Sequence, residues 1–214
     1  MNVPNLRFKE FNGEYQITTL KEITFMIKDG THGTHKDVDE GIPLLSAKDI
    51  YNNKINIPTN TRKISMDDFN SIYRNYTLKK NDIMMTIVGT IGRTALYNNE
   101  NVAFQRSVAA IRINEENNTQ YIRNYLESNS VANQLKNMTN SSAQGGIYLG
   151  SLEKVKLLIP EKNEQNKIAK FLSLLDTKIE LQSKKIEALK LYKKGLIEKI
   201  YLMDIYDKIT LKNL

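Results

Sequence analysis

The sequence has no cysteine, which excludes both a disulfide framework and a thiolate-ligated metal site. Histidine occurs only twice, as His32 and His35, and no H-E-x-x-H helix motif is formed. There is no G-x-x-x-x-G-K-[ST] phosphate loop and no G-x-S-x-G nucleophile elbow. An Asn-Pro-Pro-Tyr segment of the kind that marks adenine methyltransferases is also missing. No stretch approaches the roughly 20 apolar residues of a membrane span, and no early apolar run has the form of a signal peptide. These absences predict a cytoplasmic, non-catalytic chain with no cofactor of its own and no membrane contact.

What is there suits a folded protein with a polyanionic partner. Hydrophobic residues make up 40% of the 214 residues and charged residues 26%, too apolar a balance for disorder. The net charge of +7 and pI near 9.3 favour nucleic acid as the partner. That charge is spread along the chain, about +3 up to residue 158 and about +4 beyond it. Local patches must therefore matter more than bulk charge.

Two textures divide the chain. From Leu6 to about Ile159, short runs rich in Ile, Val, Thr and Tyr alternate with Gly, Asn, Asp and Pro, which reads as strands bounded by turns. Examples are Gly41–Leu45, Asp82–Val88 and Ser107–Ile113. Helical spacing interrupts them at Ile23–Ile27, at Ser65–Tyr73 and at Tyr121, Ile122, Tyr125 and Leu126. The sum is an α+β class domain of mixed strands and helices over residues 1–159, a common domain size.

Residues 160–203 read differently. From Glu161 to Met203 there is no proline and one glycine, Gly195. Apolar residues recur at Ile168, Leu172, Leu175, Ile179, Ile186, Leu189, Leu196 and Ile200, with Gln182 and Lys193 filling the remaining seam positions. The alternation of four and three is the coiled-coil period. A helix of this length extends roughly 60 Å, too far to pack wholly on its own domain. A self-associating helix is the simplest reading; an amphipathic helix laid on its own sheet is the competing one. Residues 204–214 read as a C-terminal tail.

Five segments in order give the chain a resemblance. Phe8–Leu20 (FKEFNGEYQITTL), Gly41–Ile50 (GIPLLSAKDI), Leu78–Ala95 (LKKNDIMMTIVGTIGRTA), Phe104–Val108 (FQRSV) and the junction ending Pro160–Ile168 (PEKNEQNKI) resemble, in this order, specificity subunits of type I restriction-modification enzymes. Tyr15 stands where tryptophan is usual in that family, and Asn81 replaces a glycine. Members commonly carry two target-recognition domains and two long helices, so this chain resembles the half-length form. The resemblance implies a domain that reads double-stranded DNA and a homodimer with antiparallel helices. It also implies docking of DNA methyltransferase subunits and of restriction or translocase subunits, with S-adenosylmethionine, Mg²⁺ and ATP belonging to those partners.

The candidate DNA-binding residues each retain an ordinary alternative. Thr31, His32, Thr34, His35 and Lys36 offer several base-edge hydrogen bonds, and the two imidazoles can ligate a metal; with no third ligand nearby, a solvated loop or a DNA contact is the better reading. Gly89–Arg93 is a glycine turn whose amides, with Arg93, suit a phosphate, or simply a hairpin end. Gln105, Arg106 and Ser107, with Ser142 and Gln144, carry base-reading side chains that equally suit solvated loops. Arg62, Lys63 and Arg74 fit phosphate neutralisation or plain solvation. Two other functions compete: an interaction protein built on the coiled coil, with incidental basic charge, and a stand-alone DNA-modifying enzyme.

Overall fold

The computed structural model describes residues 4–140 and 145–210, and the side chains of 4–139 and 145–201. Its centre is a four-stranded antiparallel sheet in the order β2 (Thr24–Asp29), β10 (Val108–Ile113), β7 (Ile83–Thr86), β8 (Thr94–Leu96). The inner strands β7 and β10 are buried on both faces, which is why they read as unbroken apolar runs and not as alternating ones. One face meets α2 (Thr119–Leu126), α3 (Asn129–Asn140) and α4 (Leu149–Leu152) through Ile83, Met85, Ile111, Ile122, Leu126 and Leu135. The opposite face packs Met84, Val108 and Ala110 on Leu45, Ile50 and Phe104.

Those last residues come from smaller sheets. β3 (Ile42–Leu45) lies between β6 (Lys63–Ile64), antiparallel, and β9 (Ala103–Phe104), parallel. β4 (Ile50–Tyr51) and β5 (Lys54–Ile55) make a tight hairpin whose turn residues Asn52 and Asn53 take positive φ, a conformation asparagine tolerates. α1 (Met66–Ile72) is capped by Ser65, whose hydroxyl accepts the Asp68 N–H. β1 (Gln16–Thr19) pairs antiparallel with β11 (Lys156–Ile159) as a separate ribbon.

The predicted helix at Ile23–Ile27 is instead the start of β2. A spacing of four satisfies both one helical turn and two strand repeats, so Ile23 and Ile27 share a core-facing side in either conformation. Pairing with β10, Ile27 opposite Ile111, selects the strand. Helices at Met66–Ile72 and Thr119–Leu126 lie where the spacing placed them.

α5 runs from Lys162 to Thr210, 49 residues and about 74 Å, longer than the sequence spacing suggested. Residues 204–210, read as tail, are helical. No helix among the described residues is long and apolar enough to cross a membrane. The chain divides into two compact units, Met1–Ala169 and Lys170–Leu214. The first two turns of α5 belong to the first unit because their side chains are committed there. Glu164 is fully buried and holds Arg7 with two hydrogen bonds of 2.8 and 2.6 Å and the Tyr15 hydroxyl with a third of 2.9 Å. Gln165 accepts the Asn118 N–H at 2.9 Å and donates to the Asn117 side chain and the Pro160 carbonyl.

Candidate nucleic-acid interface

Gly30 ends β2 where the chain crosses closest to its neighbour: a Cβ there would lie 2.1 Å from the Phe104 carbonyl oxygen, so only glycine fits. The contact is secured by Thr31 N–H to Phe104 O at 2.8 Å and Arg106 N–H to Thr31 O at 3.0 Å. Two segments distant in sequence, Thr31–Lys36 and Gln105–Ser107, are thereby laid side by side. A third arrives through the bridge between Val88 and Gly146 and the bond from Ile147 N–H to Ile87 O at 2.8 Å.

Together they line an open cleft of about 520 Å³ that brings Asp29, His32 and Arg106 to one surface with Val88, Gly146 and Tyr148. His32 Nε2 lies 2.5 Å from Asp29 Oδ2, which fixes the ring. Arg106 is exposed and forms no ion pair among the described residues. Tyr148 is 58% exposed beside it. A forked donor, an oriented imidazole and an open aromatic ring in one concave surface can hydrogen-bond base edges and stack on a base.

The other candidates are placed unequally. His35 is half-buried: Nε2 contacts Thr31 Oγ1 at 2.7 Å, and Nδ1 sits 2.9 Å from Asp68 Oδ1. Contact with His35, with help from the Ser65 hydroxyl, holds the Asp68 carboxyl below its usual range against the opposing effect of burial. Arg62 bonds Asp37 at 2.6 Å and the His35 carbonyl at 2.7 Å, and Lys63 donates to the Asp39 carbonyl at 3.0 Å. Arg62 thus holds the end of the Thr31–Lys36 loop through the His35 carbonyl, Lys63 binds beyond it, and Thr34 and Lys36 stay exposed. Ser107 is tied down as well, its Oγ accepting the Ala47 N–H at 3.0 Å, and Gln105 is half-buried.

Arg93 does not join the cleft. The hairpin between β7 and β8 turns through Gly89 and Gly92 at positive φ, and Arg93 opens onto a separate cleft of about 370 Å³ with Lys136 and Leu135. Arg74, exposed after α1, lines neither. Ser142 and Gln144 lie outside the described residues. Asp29, Tyr148 and Lys136 were not singled out from sequence. A carboxylate three residues before His32 was the available signal for the first; an isolated tyrosine in a Gly-Gly-Ile-Tyr run gave little for the second.

Along α5 the predicted seam positions differ in exposure. Ile168 packs on the core of the first unit, and Leu172 is partly covered. Leu175, Ile179, Ile186, Leu189, Leu196 and Ile200 are all exposed, as are Gln182 and Lys193 between them. Phe171, Leu174, Leu181 and Tyr192 are exposed on a flank beside that seam, so the apolar surface is wider than one stripe.

Comparison with known proteins gives a consistent result. The family described as "Type I restriction modification DNA specificity domain" matches residues 12–191. A provisionally named type I restriction enzyme MjaX specificity subunit from Methanocaldococcus jannaschii is 24% identical over 99% of this chain and 51% of its own length. The type I restriction enzyme EcoBI specificity subunit of Escherichia coli is 29% identical over 63% of this chain and 28% of its own. Among solved structures, the S subunit of a type I restriction-modification system from M. genitalium superposes with a TM-score of 0.58 at 17% identity, covering 84% of this chain and 44% of that one. The HsdS subunit from Thermoanaerobacter tengcongensis gives 0.53 at 17%, covering 84% and 41%. The chain spans about half the length, or less, of these relatives.

Proposed function

The chain belongs to the type I restriction-modification DNA specificity domain family, and we propose that it is the sequence-reading, non-catalytic subunit of such a system. Each copy reads one half of a bipartite site in double-stranded DNA. Cations on the first unit grip phosphates, and the cleft between His32 and Arg106 reads base edges. The long helix pairs two copies as a homodimer and, with the rest of the chain, docks methyltransferase and restriction subunits, which bring S-adenosylmethionine, Mg²⁺ and ATP.

The observation that carries this reading is the convergence of three separated segments on one cleft holding an exposed arginine, a carboxylate-oriented histidine and an exposed tyrosine. A scaffold without a ligand has no need of that arrangement. The exposed apolar residues of α5 support pairing, and they are shared with the rival reading of a pure interaction protein. Titrating the purified chain with duplex DNA at several salt concentrations separates the two. A DNA reader loses affinity linearly in log salt, with a slope that counts the neutralised phosphates. Binding that is absent at low salt would leave only the interaction role.

A further inference from the structure

The ribbon of β1 and β11 is two strands wide, so each strand keeps one outer edge. On β11 that edge is closed by side chains. Gln134 exchanges two hydrogen bonds with the Lys156 backbone, at 2.9 and 2.8 Å, and the Tyr125 hydroxyl accepts the Leu158 N–H at 3.2 Å. Since Lys156 and Leu158 direct these groups outward, their partners Thr19 and Ile17 form the non-hydrogen-bonded pairs of the ladder. The N–H and C=O of Thr19 and Ile17 therefore point away from β11 too. The Thr19 N–H is taken by Glu22 Oε2 at 2.7 Å. Ile17 is different: its main-chain groups meet no partner among the described residues, and its side chain is 66% exposed.

A cleft of about 480 Å³ is lined by Gln16 and Thr18, the chain neighbours of Ile17, with Glu14, Glu22, Glu116 and Glu161 over Ile23 and Ile159. Arg7 and Lys162 also line it; Arg7 is paired with the Glu164 carboxylate, while Lys162, bonded to the neutral Glu115 carbonyl, keeps its charge against the four carboxylates of Glu14, Glu22, Glu116 and Glu161. Glu14, Glu116 and Glu161 form no ion pair among the described residues. In a chain of net charge +7 this is a local field of the opposite sign, one that repels DNA and a second copy of the same edge alike. None of its residues is shared with the His32–Arg106 cleft.

We propose that the β1 edge is a docking surface for an extended, lysine- or arginine-bearing segment of a partner protein, which adds as a third strand beside Ile17 and sets its cations on Glu14, Glu116 and Glu161. Main-chain hydrogen bonds to Ile17 give the affinity, and the carboxylates select the occupant. The inference stands on a face separate from the DNA-reading one and does not depend on it.

The test uses the full chain and two short labelled peptides, one alternating Val and Lys, the other Val and Glu. Fluorescence anisotropy should give salt-sensitive binding of the lysine peptide and none of the glutamate peptide. Amide exchange at Ile17 should slow when the lysine peptide is bound. Ile17→Pro removes only an outward N–H, so the ribbon is retained, and it should weaken the peptide about tenfold, as expected for one lost strand hydrogen bond. If that variant misfolds, the exposed double substitution Glu116→Lys with Glu161→Lys gives the same readout by reversing the field. Duplex DNA binding by these variants should be undiminished, which separates failure here from failure of the DNA-reading proposal. Equal binding of the two peptides, no binding of the lysine peptide, or unchanged exchange at Ile17 would each overturn the proposal.

Discussion

Arg106 and Arg93 are both exposed arginines on turns, yet their surroundings differ. Arg106 shares its cleft with an oriented imidazole and an exposed aromatic ring, whereas Arg93 shares a different cleft with Lys136. A guanidinium that reads guanine through O6 and N7 contributes discrimination as well as affinity. Arg106→Ala should therefore cost about 1–3 kcal/mol at the specific site and relax one base position. Arg93→Ala should weaken all duplexes alike and lower the salt slope by about one. Competition titrations with single-base variants of the site check both, and a uniform loss for Arg106→Ala would reassign it to a phosphate. At Glu164, the Arg7 guanidinium first, and the Tyr15 hydroxyl after it, hold the carboxyl below the ordinary range, while burial opposes them. A group depressed in the folded state stabilises above its unfolded pKa and loses that stabilisation as pH falls through its folded one. Stability should thus fall with acid below the ordinary glutamate range, and Glu164→Gln should flatten that part of the profile while lowering stability at neutral pH. Urea midpoints measured across pH would settle it; an unaltered slope in the variant would mean the acid sensitivity lies elsewhere. These residue-scale features were hard to foresee, since no sequence spacing announces that Arg7 and Glu164, 157 positions apart, will meet.

Elements were more legible than contacts. The runs at 83–86 and 108–113 became strands because continuous apolar stretches bounded by turn residues have few other fates. α3 has little sequence signal because Asn129–Asn140 contains four asparagines, poor helix formers; Val131 and Leu135, four apart and both buried, supply the packing that overrides propensity. The Ile23–Ile27 error had a comparable cause, a spacing compatible with two structures. α5 was the plainest element, and its exposed seam makes a direct prediction. Replacing Ile179 and Ile186 with Asp puts carboxylates where a partner helix would bury them, at several kcal/mol. Sedimentation of the wild type should give a dimer at micromolar concentration and of the double variant a monomer, with the first unit still folded by near-ultraviolet circular dichroism. A monomeric wild type would dismiss self-pairing.

At the scale of the whole molecule, a two-fold dimer presents the same reading surface twice, so its target should be an inverted repeat. Half-sites on one face of the duplex favour a separation near one helical turn, about 34 Å. Inserting 14 residues, about two heptads, into α5 keeps the seam in phase and adds roughly 21 Å. The half-sites should stay the same while the unread spacer between them lengthens, which methylome sequencing of cells carrying the chain with its methyltransferase reads directly. An asymmetric methylated motif would count against a homodimer. From Leu174 to Tyr201, α5 buries almost none of its side chains within this chain, and a long helix that gains no packing is only marginally stable in water. In the proposed dimer its order would follow, by mass action, the concentration of the copy that covers it. Lysines 178, 184, 185, 190, 193, 194 and 199 lie on it, so an uncovered copy is an open substrate for trypsin-like proteolysis. Because the proposed helix partner is a second copy, the fraction of chain left intact in a cell would then rise with the chain's own concentration, a dosage control that needs no regulator beyond the helix itself.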